Sequence, residues 1–210
     1  MSVIKAIETR YKGYRFRSRL EARWAVFFDN LGIPWEYEKE GYIITDKQIE
    51  GRTWPYLPDF FLPVLGCHVE VKGTLEGLSP EYFEIISWAI DHGGGLPGVS
   101  DSYGTTRGLL WLGPIPPETK YNELPNHIFL QHHKGGWCRT AHFDSRKGLI
   151  VNNQLNEYFD ASWGDASDLK NQIQKWVYSS ICRVWPHYDF KVANAYMYAR
   201  MARFEHGERG

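Results

Sequence analysis

The stretch "PDFFLPVLGCHVEVKG" (residues 58–73) decides the reading of this chain. Two short apolar runs flank a turn, the pattern of a β-hairpin. Three charged residues interrupt it: Asp59 in the first run, Glu70 and Lys72 in the second. Alternation along a strand sends every second side chain to the same face. Val69 and Val71 are therefore expected to face a core, with His68, Glu70 and Lys72 together on the other side. On the neighbouring strand Asp59 shares a face with Leu57 and Phe61. If the strands pair, as the short connection suggests, Asp59 can sit beside Glu70. Two carboxylates held close in a partly dry site repel each other, and a divalent cation relieves the repulsion. Hard oxygen ligands in small number suit magnesium, which keeps several of its waters. Lys72, two residues from a metal ligand, comes within reach of a bound water or a phosphate oxygen. Carboxylates, metal and ammonium together make a site for hydrolysing a phosphodiester.

Upstream, Ser18 is a good N-cap, and Gly32 followed by Pro34 is a good stop. Leu20, Trp24, Phe27 and Leu31 recur at helical spacing between them, which predicts a helix over 18–31. Glu21 falls at the margin of that apolar stripe, where a carboxylate is costly unless something charged meets it. A helix packed on the sheet would let Glu21 reach the same metal. Ser18 and Glu21 also form a capping box, and both roles can hold together. Residues 35–45 read as a strand, 79–92 as a second helix opened by Ser-Pro, and "GLLWLGPIPP" as a short buried strand stopped by its prolines. The order is α-β-β-β-α-β, ending near residue 117.

Asp59 preceded by Pro58, ten residues, then Glu70-Val71-Lys72 resembles the PD-(D/E)xK nuclease signature, with Glu21 upstream completing it. Within that superfamily the nearest resemblance is to phage-type Holliday junction resolvases and the endonuclease subunits of certain transposons. The opening "YRFRSRLEARWAVFFDNLGIPWEYE" with "YLPDFFLP" and "HVEVKG" also resembles uncharacterised nuclease-like proteins of actinobacterial phages. The resemblance covers residues 10–115. It implies a restriction-endonuclease-like α/β core and a DNA endonuclease that uses magnesium, with manganese able to substitute. It further implies that Asp59, Glu70 and the Val71 carbonyl hold the metal, that Glu21 supports it, and that Lys72 positions water and phosphate. A branched or nicked DNA substrate follows from the resolvase likeness, and so does compatibility with a homodimer. Two other outcomes stay open: a duplex endonuclease of restriction, defence or transposition, and a non-cleaving DNA-binding or assembly subunit.

Composition bounds these readings. In 210 residues, 43% are hydrophobic, enough for a full core, and disorder is not expected. No apolar run is long enough to span a bilayer, so no membrane is expected. The basic N-terminus lacks the apolar core of a signal peptide. Three scattered cysteines form no CxxC pair, which suits a reducing, cytoplasmic compartment. The net charge of −1 says little, because nucleic-acid binding depends on local charge. Residues 10–23 carry six cations and one acid, interleaved with aromatics before a helix start, a pattern suited to phosphate contacts. Tyr14, Arg15, Arg17, Ser18 and Arg19 are the candidates there.

Residues 1–117 are accordingly read as the nuclease core with its basic entry segment, and 118–210 as a β-plus-helical extension packed on it. "HIFLQHH", "GWCRTAHF" and "GLIVNN" suggest a small antiparallel sheet. Leu169, Ile173, Trp176, Val177, Ile181 and Val184 mark one amphipathic helix. Val192, Ala195, Tyr196, Ala199 and Ala202 mark another. His132, His133, Cys138 and His142 are of zinc-ligand type, but their spacing matches no common finger, and alternate residues of a hairpin face opposite ways. A hairpin over the core or facing DNA is the preferred reading.

Overall fold

The computed structural model describes residues 6–45, 53–74, 109–117, 123–125, 127–130, 138–151, 181–183 and 189–204. It enters through a tight hairpin, β1 (Thr9–Tyr11) and β2 (Tyr14–Phe16), turned at Lys12 and Gly13 with φ of 47° and 84°. Phe16 closes the hairpin onto the core, fully buried.

Helix α1 (Arg19–Leu31) follows from its end signals. The Ser18 hydroxyl accepts the Glu21 N–H at 3.1 Å, and Gly32 terminates the helix at φ 76°. Only glycine adopts that conformation without strain. The helix buries Ala22, Trp24, Ala25, Val26, Phe27 and Phe28. The Trp24 indole also donates to the Gly113 carbonyl at 2.9 Å, which ties helix to sheet.

Residues 35–45, expected as one strand, break into β3 (Glu36–Tyr37) and β4 (Tyr42–Thr45). The break falls at Glu38, whose φ of 43° no strand tolerates. Strand β4 leaves the main sheet and pairs with β5 (Thr53–Tyr56). "YLPDFFL", also expected as one strand, is divided at Pro58. Tyr56 ends β5, and β6 (Phe60–Leu62) belongs to the main sheet. Next come β7 (Cys67–Val71) and β8 (Leu109–Leu112). Strands β3 and β6 are antiparallel, as are β6 and β7, whereas β7 and β8 run parallel. A parallel pair demands a long crossover. The helix expected over 79–92 lies in that connection, outside the described residues.

The remaining elements are β9 (Glu123–Pro125), β10 (His127–Leu130), β11 (Cys138–Asp144), β12 (Gly148–Val151), β13 (Ile181–Arg183) and α2 (Phe190–Met201). The expected three-stranded sheet forms, but it is not separate. Strand β10 bonds to β8, giving one seven-stranded sheet in the order β12-β11-β10-β8-β7-β6-β3. The sheet thus runs across the boundary drawn at residue 117. Ile181 lies in β13, paired with β9, and not in the helix expected around it. Most of that helix falls outside the described residues.

Helix α2 buries Val192, Ala195, Tyr196 and Ala199 of the expected stripe, while Ala202, also expected on it, is the residue just past the helix end. It packs on α1, where the Tyr196 ring meets Phe27 at 4.4 Å between centroids and Trp24 at 6.1 Å. Its cap, Asp189, accepts the N–H groups of Lys191 and Val192 and that of Ser145, which pins the helix to the β11–β12 turn. The fold is thus mixed α/β, with one large sheet, three two-stranded sheets and two helices among the described residues. No described helix is long and apolar enough to cross a membrane.

Candidate metal and phosphate site

The β6–β7 register brings the two hairpin carboxylates together. Phe60 pairs with Val69, so the preceding residue, Asp59, stands opposite Glu70. Asp59 is 2% exposed and Glu70 3%. Glu21 joins them at 6% exposure, from the first turn of α1. Ionised carboxylates at such depth require partners.

Each carboxylate has partners. Asp59 Oδ2 accepts the Val71 N–H at 2.7 Å, and Asp59 Oδ1 accepts from Arg17 Nη2 at 2.7 Å. Glu70 Oε2 accepts the Tyr56 hydroxyl at 2.7 Å, and Glu70 Oε1 pairs with Lys72 Nζ. Glu21 Oε1 accepts the Ser18 hydroxyl at 2.6 Å. Glu21 Oε2 accepts the Tyr37 hydroxyl at 2.6 Å and the Arg17 N–H at 3.0 Å. The capping box is therefore present in altered form, since Glu21 reaches the amide of Arg17, one residue before the cap. Its carboxylate caps the helix and belongs to the cluster at once.

The electrostatics are unbalanced. Among the described residues of the cluster, Glu21, Glu38, Asp59 and Glu70 supply four carboxylates against two cations, Arg17 and Lys72. Burial first, and then the neighbouring Glu70 charge, push the Asp59 carboxyl up to about 7, against the opposing pull of Lys72 and the Val71 N–H. Burial alone would lower the Arg17 guanidinium, but Asp59, Tyr37, Glu38 and Glu21 outweigh it and hold Arg17 above its ordinary value. Burial and the Glu21 carboxylate raise the Tyr37 phenol.

As arranged, no three His, Cys, Asp or Glu side chains among the described residues converge to hold a metal ion. Arg17 and Lys72 stand on the two hairpin carboxylates instead. The donor chemistry nevertheless fits a hard divalent cation. Asp59 and Glu70 are buried at opposing positions of the β6–β7 pairing, and with every group ionised the cluster has two more negative charges than positive ones. That excess equals the charge of one such ion.

Of the residues singled out from the sequence, Arg17, Ser18, Glu21, Asp59, Glu70, Val71 and Lys72 meet here. Tyr14, Arg15 and Arg19 do not. Tyr14 packs on Trp35 and is 43% exposed, Arg15 pairs with Glu8, and Arg19 opens α1. Arg17 and Ser18, expected as phosphate contacts, are engaged with carboxylates in this arrangement. His68 is buried against the Tyr42 and Phe61 rings. His132 and His133 lie outside the described residues. Cys138 begins β11, and His142 is buried on the same strand with Asp144 as its charged neighbour.

Three contributors escape sequence reasoning: Tyr37, Glu38 and Tyr56. Alternation along β5 could have flagged Tyr56, because Trp54 and Tyr56 are its two buried residues. Nothing local signals Tyr37, which reaches the site from β3, or Glu38, which reaches it through the break after that strand. No protein-family model, no curated protein and no solved structure matches the chain.

Proposed function

We propose that this chain is a magnesium-dependent DNA endonuclease of the PD-(D/E)xK type, acting on branched, flapped or nicked DNA in the processing of phage or mobile-element genomes. The observation that carries the reading is the facing pair Asp59 and Glu70, both buried, with Lys72 on Glu70 and excess negative charge around them. The chain order of α1, β3, β6, β7 and β8 agrees with the element order expected from the sequence as far as the described residues go, and it supports the reading.

In this reading Asp59 and Glu70 hold the metal, with the Val71 carbonyl as a further oxygen donor and Glu21 as support. A bound magnesium ion activates water and neutralises charge developing on the phosphate. Tyr56 fixes one oxygen of the Glu70 carboxylate while Lys72 holds the other, and Tyr37 and Ser18 fix Glu21. Lys72, 26% exposed at its side chain, positions the attacking water and stabilises the phosphate oxygens. Its backbone N–H donates to the Leu112 carbonyl at 2.9 Å, so the ammonium projects from a fixed point.

The test is cleavage of supercoiled plasmid with magnesium, manganese, calcium or chelator, alongside four-way, flapped, nicked and linear duplexes. Cleavage of branched DNA that requires magnesium or manganese supports the proposal. Equal cutting of linear duplex moves it to the restriction, defence or transposition class. Metal-independent DNA binding with no cleavage of any substrate overturns the enzyme reading.

A further inference from the structure

Arg17 holds an unusual position. Its guanidinium reaches the most buried carboxylate of the cluster, yet its side chain is 55% exposed. Nη2 sits 2.7 Å from Asp59 Oδ1, and Nε sits 2.6 Å from Glu38 Oε1. The seat is built. Glu38 adopts φ 43°, a conformation that costs a non-glycine residue, and its N–H donates to the Asp59 carbonyl at 3.0 Å. The same residue therefore anchors the Asp59 backbone and supplies the second carboxylate under Arg17. The Arg17 main chain is fixed by the bond from its N–H to Glu21, whereas its long side chain meets both carboxylates at the end of several rotatable bonds.

We propose that Arg17 is a resident counter-cation that a divalent ion displaces from Asp59, and that the freed guanidinium, still near Glu38, then takes a phosphate of the nucleic acid. The inference rests on the reading of Asp59 and Glu70 as a metal site. Asp59 accepts two donors. The Val71 N–H belongs to the backbone of a strand held on both sides and cannot leave without breaking the sheet. Arg17 is the partner on a rotatable, half-exposed stem, and a cation arriving at Asp59 repels it. Metal occupancy thereby changes Arg17 from a carboxylate partner to a phosphate partner, and a planar guanidinium suits both. DNA and metal become positively coupled through one side chain.

The test is calorimetric titration of calcium and manganese into the full chain without DNA, for wild type and Arg17→Gln. Removal of the competitor is expected to tighten metal binding about 10-fold, and Arg17→Lys, which spans the two carboxylates less well, should tighten it less. DNA affinity is then measured against salt with calcium and with chelator. Calcium should steepen the salt dependence of the wild type by about one counterion, and that increment should vanish in Arg17→Gln. In the wild type itself, the Arg17 guanidinium resonances should shift on adding calcium alone. Metal binding that is equal or weaker in Arg17→Gln, or Arg17 resonances indifferent to calcium, overturns the inference while leaving the metal site standing. A wild type that binds neither ion overturns both.

Discussion

Replacing Asp59 by asparagine removes one charge and keeps the shape, so it isolates the electrostatic strain in the cluster. An aspartate titrates near about 3.9 in an unfolded chain and, by burial and the Glu70 charge, at about 7 here. At about 1.4 kcal/mol per pH unit, ionised Asp59 costs the folded protein on the order of 4 kcal/mol. That cost is already net of the attractions on the ionised form, and the neutral amide escapes it. An amide, however, has one acceptor oxygen for the two donors at Asp59, and leaving Arg17 without its acceptor costs about 1–3 kcal/mol. The net expectation is that Asp59→Asn is more stable without metal by about 1–2 kcal/mol above neutrality, or about 4 °C in Tm for a chain of this size. The sign follows from proton linkage. Because the folded carboxyl is raised, its contribution to stability is fully present below about pH 4 and is lost as pH rises through about 7. The stability of the wild type relative to the variant should therefore fall across that window, and the two melting curves should stay a constant distance apart above it. Magnesium should stabilise the wild type by about 2.7 kcal/mol at a hundred times its Kd, and the variant by less. The variant should bind DNA and fail to cut it. The assay is thermal melting in chelator and in magnesium across pH, run beside plasmid nicking. Parallel pH profiles with equal magnesium responses and equal nicking would show that Asp59 carries no buried charge strain and shares no cation with Glu70.

Three further expectations follow from the same geometry. Lys72→Ala should lower the cleavage rate by about 100-fold or more with DNA affinity unchanged, since the ammonium acts on the transition state and Glu70 keeps the Tyr56 hydroxyl; single-turnover kinetics at the wild-type rate would assign Lys72 a surface role. Arg15→Ala should weaken DNA binding and reduce the salt slope by about 0.9, the value of one phosphate contact, while Glu8→Gln, which frees Arg15 from its ion pair, should strengthen binding; an unchanged slope in both would remove the hairpin from the DNA surface. Gly32→Ala should destabilise the protein by about 1 kcal/mol, because no atom crowds the added methyl and only the φ of 76° opposes it; chemical denaturation showing no loss would mean that the helix end relaxes.

The parts of this fold that are legible in the sequence are those whose causes are local. Ser18, the Trp24–Phe27 stripe and Gly32 state the beginning, buried face and end of α1 within a short span, and the observed helix keeps them. Val192, Ala195, Tyr196 and Ala199 state the buried face of α2 in the same way, though not its ends. The short turn between β6 and β7 fixes their register, and with it the meeting of Asp59 and Glu70. What stays hidden depends on partners far away in sequence. The strand pattern of β10 is equally compatible with a separate small sheet and with bonding to β8, because hydrogen-bond partners leave no trace in alternation. The left-handed turn at Glu38 lacks the glycine or asparagine that would announce it. Arg17 reads as one more cation in a basic run, and its engagement with Asp59, 42 residues away, is a tertiary fact that no local pattern encodes.

The contact between α1 and α2 has a consequence for how the protein comes into being. Glu21 is carried by a helix whose Trp24 and Phe27 rest on Tyr196 and Phe143, residues translated long after it. A nascent chain that has just emerged from the ribosome with the hairpin of β6 and β7 complete possesses every carboxylate of the cluster but not the aromatic bed beneath Glu21. Non-local contacts are also the slowest to form. Completion of the packing behind α1 is thus deferred until α2 has been made. A polypeptide cut short before α2 holds all the chemically active side chains, but lacks the Tyr196 contact behind the helix that carries Glu21.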